Sequence, residues 1–186
     1  MILQRKPFDF IKPDNQEAAI AALEAHSPDV RVLAGGTDYL VELKHANKSP
    51  GTVVDVSQVS ELKGIDEIDD GLRIGAGVTH TEIMADPLIK KYAPAMIDAA
   101  HTVGAVQTRN LGTLGGNLVT CVPSMDSGPT LVALEAEATV AEPRAGAWCC
   151  RRVDAGGRPV AGIGGGRATA AVGRLKCVHN RCPGQN

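Results

Sequence analysis

Two short segments of this chain have the composition of an anion cradle. Leu33-Ala34-Gly35-Gly36-Thr37-Asp38 and Thr113-Leu114-Gly115-Gly116-Asn117 each set a glycine pair beside a hydroxyl or amide side chain, about 75 residues apart. Glycine reaches left-handed conformations and lets a ligand come within van der Waals distance of the main chain. Successive N–H groups in such turns form a concave nest for an anion, and a turn that opens a helix adds the positive end of the helix dipole. Thr37 and Thr113 bring hydroxyls, and Asn117 an amide. Two such nests facing each other would suit a pyrophosphate, although either one singly reads more simply as a structural turn. Other candidates fail sooner. His26, His45, His80, His101 and His179 share no ligand spacing and read as exposed or capping residues. There is no phosphate-loop Gly-Lys-Ser/Thr and no His-Glu-x-x-His. Gly162-Ile163-Gly164-Gly165-Gly166-Arg167 starts like a dinucleotide fingerprint but has Arg at the last glycine position and no strand before it.

The elements that must position the two segments can be read from caps and periodicity. Phe8 to Lys12 is a short extended stretch. Asp14 with Glu17 three residues on has the form of a capping box, opening a helix whose Ala19, Ile20 and Leu23 recur at helical spacing until Ser27-Pro28 stops it. Val30 to Leu33 is a strand that runs into the first glycine segment. Thr37 or Asp38 then caps a helix with Tyr39, Leu40 and Leu43 facing inward, and Thr52 to Val56 is the next strand. Beyond it, Gly64 to Ile68 and Leu72 to Gly75 flank Asp69-Asp70-Gly71, a tight-hairpin signal whose acids form a solvated tip. Thr79 with Glu82 is a second capping box, and Asp86-Pro87 ends that helix. Pro94 suits the first turn of another, with Met96, Ile97, Ala100 and Val103 on one face and Gly104 as its stop. Gln107 to Asn117 reads as a loop too glycine-rich for a regular element. Leu131 to Leu134 follows as a buried helix or turn and Ala138 to Ala141 as a strand. The expected architecture is α+β: a lobe over residues 1–56 and a second over 57–143, each carrying one glycine segment.

Composition sets the bounds. With 44% apolar and 22% charged residues the chain falls in the range of globular proteins, and no apolar run approaches a membrane span. No signal-peptide pattern opens it, so a cytoplasmic setting is expected. One Trp, two Tyr and two Phe leave the core to Val, Ile, Leu and Ala. The net charge of −2 hides a split: residues 1–143 hold 11 basic and 20 acidic residues, whereas 144–186 hold 8 basic residues and one acid, Asp154. That last stretch has nine Gly, seven Ala, seven Arg and four of the five cysteines, with no periodicity. It reads as unstructured or out of frame, a tail with no part in a packed core; a basic nucleic-acid arm is the function such asymmetry could otherwise signal.

Taken together and in this order, the two glycine segments resemble the FAD-binding subunit of the xanthine dehydrogenase and carbon monoxide dehydrogenase family of molybdenum hydroxylases. Gly75-Ala76-Gly77-Val78-Thr79, Arg109-Asn110-Leu111-Gly112 and Pro123-Ser124-Met125-Asp126-Ser127-Gly128-Pro129 support the likeness, which runs from near residue 1 to about 142. The resemblance implies two α/β lobes of the flavin-binding PCMH type with FAD between them. It implies that Leu33, Ala34, Gly35, Gly36, Thr37 and Asp38 with Thr113, Leu114, Gly115, Gly116 and Asn117 cradle the FAD pyrophosphate, and that Asp126 matches an acid contacting the cofactor. No catalytic side chain and no metal ligand is expected on this chain. Its partners would be a small subunit with [2Fe–2S] clusters, a large molybdopterin subunit and an electron acceptor such as NAD, with no nucleic acid and no membrane span. Relatives continue into a C-terminal α+β domain that this sequence does not match. Cys121 reads as a small buried hydrophobe, and the adjacent Cys149-Cys150 pair lacks the spacing of cluster ligands. Two alternatives stay open: a stand-alone flavin reductase of the same fold, against which the Thr-Leu-Gly-Gly-Asn form argues, and a non-catalytic remnant that does not hold FAD.

Overall fold

The computed structural model of the chain describes residues 7–45, 50–69, 71–120, 125–141, 148–152 and 171–178. In the first lobe β1 (Asp9–Ile11), β2 (Val30–Leu33) and β3 (Thr52–Asp55) form a parallel sheet in the order β1-β3-β2. Parallel neighbours need crossover connections, and α1 (Gln16–Ala25) and α2 (Tyr39–His45) supply them. The central strand β3 is buried along its whole length. Ala19 and Leu23 of α1 close over Val30 and Val54, and the core continues through Val56 and Val59 to Leu62 in a 3-10 turn, Ser60–Leu62. The helix cap sits one residue later than expected. Asn15, not Asp14, keeps the extended backbone, and its Oδ1 accepts the Ala18 N–H at 2.8 Å. In α2, Leu43 is buried as expected but Leu40 is not: it is 50% exposed, beside Val41 at 52%.

The second lobe is a five-stranded antiparallel sheet in the order β4-β5-β8-β6-β7, made of β4 (Ile65–Ile68), β5 (Gly71–Gly75), β6 (Glu137–Ala141), β7 (Trp148–Arg152) and β8 (Ala171–Val178). The Asp-Gly hairpin forms with Ile68 opposite Gly71, and its flank is solvated, Asp66 pairing with Arg73 at 2.8 Å. Six short helices connect β5 to β6: α3 (His80–Ala85), α4 (Pro87–Tyr92), α5 (Ala95–Thr102), α6 (Val106–Leu111), α7 (Leu114–Thr120) and α8 (Gly128–Ala133). Their apolar faces meet Leu72 and Ile74 of β5 in one core with Ile83, Ile89, Met96, Leu114, Leu118 and Leu131. The Thr79–Glu82 capping box is present, Glu82 Oε2 accepting the Thr79 N–H at 2.7 Å. Asp86-Pro87 ends α3 as expected, yet it also opens α4, which the sequence reading did not anticipate. Asp86 Oδ1 accepts the Leu88 and Ile89 N–H groups, and Pro87 occupies the first helical turn.

Two readings are corrected. Residues 107–117 are not an irregular loop, because α6 and α7 occupy most of them. Packing overrides the weak helix propensity of Gly115-Gly116 by burying Leu114 and Leu118. The stretch after Arg144 is not devoid of regular structure either, since β7 and β8 belong to the sheet and β8 lies between β5 and β6. In β8 the register to β6 shifts where Thr139 pairs with Arg174 and Val140 with Val172, leaving Gly173 as an extra residue. Such a bulge breaks the period-2 alternation that a strand otherwise shows. Cys121, Asn47-Lys48-Ser49 and Gly162 to Arg167 lie outside the described residues. Among the described residues no helix is long and apolar enough to cross a membrane.

Candidate functional site

The first glycine segment meets the residues on either side of the second. Gly35 lies so close to the end of α6 that a Cβ on it would stand 1.8 Å from the Leu111 carbonyl oxygen and 3.0 Å from Gly112 Cα. Only a residue without a side chain permits that backbone-on-backbone contact. Gly36, at φ +73°, then turns the chain into α2. Across the junction Thr37 Oγ1 is 3.4 Å from the point where a Gly112 Cβ would sit. Thr120 Oγ1, at the end of α7, lies 3.3 Å from Asp38 Oδ2. Segments 82 residues apart in sequence therefore share one small region between the lobes.

Their chemistry differs. In the first segment the Leu33 carbonyl accepts the Val56 N–H at 2.8 Å, which anchors the loop to the sheet. No acceptor among the described residues engages the N–H groups of Ala34, Gly35, Gly36, Thr37 or Asp38. These donors, at the opening of α2, are free to serve a ligand. The second segment is corrected from a loop nest to a helix start whose N–H groups already have acceptors. Leu114 donates to Val78 O and Gly115 to Ala76 O, both at 2.9 Å, and Asn117 donates to Thr113 O at 3.0 Å. Gly116 donates to Thr113 Oγ1 at 3.1 Å, so Thr113 serves as a helix cap, with its own hydroxyl proton left to give.

What remains open on the second segment is space. Among the described residues a Cβ on Gly116 would meet only Thr113 Oγ1, at 2.9 Å, whereas one on Gly115 would strike Ala76. Gly115 is thus a packing glycine, and Gly116 a glycine whose missing side chain leaves room. Gly116 is not at positive φ, so its conformational freedom is not what the site uses. Asn117 Oδ1 accepts a hydrogen bond from the buried Ser127 hydroxyl, which ties α7 to the start of α8 and leaves the Asn117 amide N–H₂ as its donor. Asp126, next to Ser127, is half-buried. A pyrophosphate fits these features: unengaged N–H donors on the first segment, and on the second a half-buried Gly116 with no side chain.

The sequence reading missed His80. Taken as exposed or capping, it is 2% exposed, and its ring Cδ2 is 3.4 Å from the Cβ position of Gly112. Burial holds its pKa below the ordinary imidazole value, while the Asp126 and Asp38 carboxylates pull it upward. The one available signal was its place at the first position of a capped helix that precedes the second segment. Tyr39 has a buried hydroxyl with no partner among the described residues, and burial raises its pKa against the opposing charge of Arg31. No group of three or more His, Cys, Asp or Glu among the described residues could hold a metal.

Comparison with known proteins identifies the family. Residues 6–149 match the family described as the FAD binding domain in molybdopterin dehydrogenase. The chain is 37% identical over 123 residues to the xanthine dehydrogenase FAD-binding subunit of Escherichia coli O157:H7, covering 66% of this chain and 42% of that protein. It is 36% identical over 133 residues to the nicotinate dehydrogenase FAD-subunit of Eubacterium barkeri, covering 70% and 45% respectively. Among solved structures, carbon monoxide dehydrogenase from Hydrogenophaga pseudoflava superposes with a TM-score of 0.82 at 26% identity, covering 96% of this chain and 61% of the other. The chain spans less than half the length of these curated relatives. A row of unengaged N–H donors packed on the end of α6 is thus joined to a family match over most of the sequence, and the chain belongs to the FAD-binding domain family of the molybdopterin dehydrogenases.

Proposed function

We infer that this chain is the FAD-holding, electron-passing component of a molybdenum hydroxylase. The observation that carries the reading is the run of unengaged N–H groups from Ala34 to Asp38, in a segment whose Gly35 packs on the end of α6 just before Thr113 to Asn117. In this reading Leu33 anchors the loop, Ala34 to Asp38 donate to the pyrophosphate, and Gly116 leaves it room. Thr113 and Asn117 add a hydroxyl and an amide proton. Leu114 and Gly115 act indirectly, by docking α7 on the Ala76–Val78 backbone. Asp126, whose charge acts on His80, would contribute to the electrostatics beside the cofactor. FAD, once bound, takes electrons singly and releases them as a pair, so it carries the chemistry while the polypeptide supplies position and electrostatics.

No acid, base or metal on this chain is needed for that work. Electrons would arrive from the [2Fe–2S] clusters of a small subunit, itself fed by a molybdopterin subunit that acts on the organic substrate, and would leave to NAD or another acceptor in a cytoplasmic setting. The test is to purify the chain, measure FAD stoichiometry from flavin absorbance, and repeat with Gly116→Ala. Near-stoichiometric FAD that Gly116→Ala reduces supports the reading. A folded chain that takes up no FAD at micromolar concentration refutes it and favours the remnant.

A further inference from the structure

His80 is the one buried histidine among the described residues. Its backbone N–H donates to the Gly112 carbonyl at 3.1 Å, and its ring packs against Gly112 at the point that Thr37 Oγ1 also approaches. The imidazole therefore sits under the junction of the two glycine segments. Two carboxylates act on it, Asp38 from the first segment and Asp126 from the stretch before α8. The helices packed against α3 bring no competing cation. Arg109 of α6 donates through Nη1 to the carbonyls of His101, Val103 and Gly104, closing the end of α5. Asp98 and His101 of α5 are exposed, as is Lys90 of α4, and Lys91 is engaged by Tyr92. Glu82 of α3 itself is held in its capping box.

We propose that His80 is a proton-coupled binding residue of the cofactor site: a pyrophosphate arriving at the first segment adds negative charge beside Asp38 and Asp126, and the imidazole takes up one proton to balance it. The inference rests on the pyrophosphate reading above. In the free protein burial favours the neutral ring. The incoming phosphates tip a ring on which two carboxylates already act towards imidazolium, so binding consumes one proton per FAD. The phosphates of FAD keep a fixed charge between pH 5.5 and pH 8.5, roughly the range over which a histidine titrates, so the ligand contributes no slope of its own. A one-proton linkage makes affinity fall about tenfold per pH unit between the free and bound pKa values of the ring.

The experiment titrates the full chain with FAD by flavin fluorescence across that pH range and measures proton uptake calorimetrically in two buffers of different ionisation heat. The expected result is weaker binding as pH rises, uptake approaching one proton, and a flattened profile in His80→Gln. Asp126→Asn removes one carboxylate that favours imidazolium, so it moves the sloping region to lower pH; this arm holds even where His80→Gln does not fold. FAD binding with a flat profile and no proton uptake overturns the inference alone, as does a wild-type slope in a folded His80→Gln. No FAD binding at any pH by a folded chain refutes the pyrophosphate reading and this inference with it.

Discussion

Replacing Gly35 with alanine places a methyl carbon 1.8 Å from the Leu111 carbonyl oxygen and 2.5 Å from its carbonyl carbon. Against the 3.0 Å that Cβ atoms keep, the contact with oxygen falls 1.2 Å short (1.8 against 3.0 Å), and both partners are backbone. No rotamer can relieve it, so the first segment must separate from the end of α6. Overpacking of this kind costs about 1–3 kcal/mol. For a chain of this size that is a fall in Tm of roughly 2–12 °C, at about 2–4 °C per kcal/mol. The separation also parts the donor row from Gly116, so FAD loading should fall with stability. Gly116→Ala is the contrasting variant. Its added methyl meets only the Thr113 hydroxyl, and alanine favours a helix by up to about 1 kcal/mol over glycine, so Tm should hold while FAD affinity drops. Thermal denaturation and flavin absorbance on the two variants check both halves. Wild-type Tm and full FAD loading in Gly35→Ala would show that the segments do not touch as described.

Asn117→Ala strips the acceptor from the buried Ser127 hydroxyl, which should cost about 1–3 kcal/mol, read as a lower urea midpoint; an unchanged midpoint removes that bond from the fold. For His80, the unfolded ring binds a proton near its ordinary value of 6.5 and the folded ring only at lower pH. Stability is therefore full above that ordinary value and is lost as pH falls through the depressed one. Urea midpoints at pH 7.5 and about 5.5, a span centred on the ordinary histidine range, should differ more in the wild type than in His80→Gln; equal differences assign the loss to other groups. Amides of Ala171–Val178, paired with β5 on one side and β6 on the other, should be protected from hydrogen exchange. Exchange as fast as an unstructured peptide would remove β8 from the sheet and leave an unstructured tail.

Local signals in the sequence were enough for much of this molecule. The bounds of β2, the Asp-Gly hairpin, the Thr79–Glu82 box and the Pro94 helix start depend on neighbours a few residues away, and each forms where its own chemistry puts it. The family was legible for a related reason: Gly35-Gly36 and Gly115-Gly116 with their flanking residues are short contiguous patterns. Sequence alone also marked both segments as relevant to one anion, but it gave them the same role. Tertiary structure separates them, because the acceptors for Leu114 and Gly115 lie on Val78 and Ala76, residues that no local rule connects to them. Gly35 and Gly116 look alike as letters. One lies against a carbonyl 76 residues away in sequence, the other only against the hydroxyl of its own helix cap, Thr113, among the described residues. His80 shows the same limit. Its ring packs beside Gly112 and its electrostatics depend on Asp126 and Asp38, so beyond its place in a capped first turn nothing within a few residues of position 80 sets it apart from the exposed His101. Local hydrogen bonding and backbone preference act over a turn or two of chain; packing and charge act through space, and only the fold sets those distances.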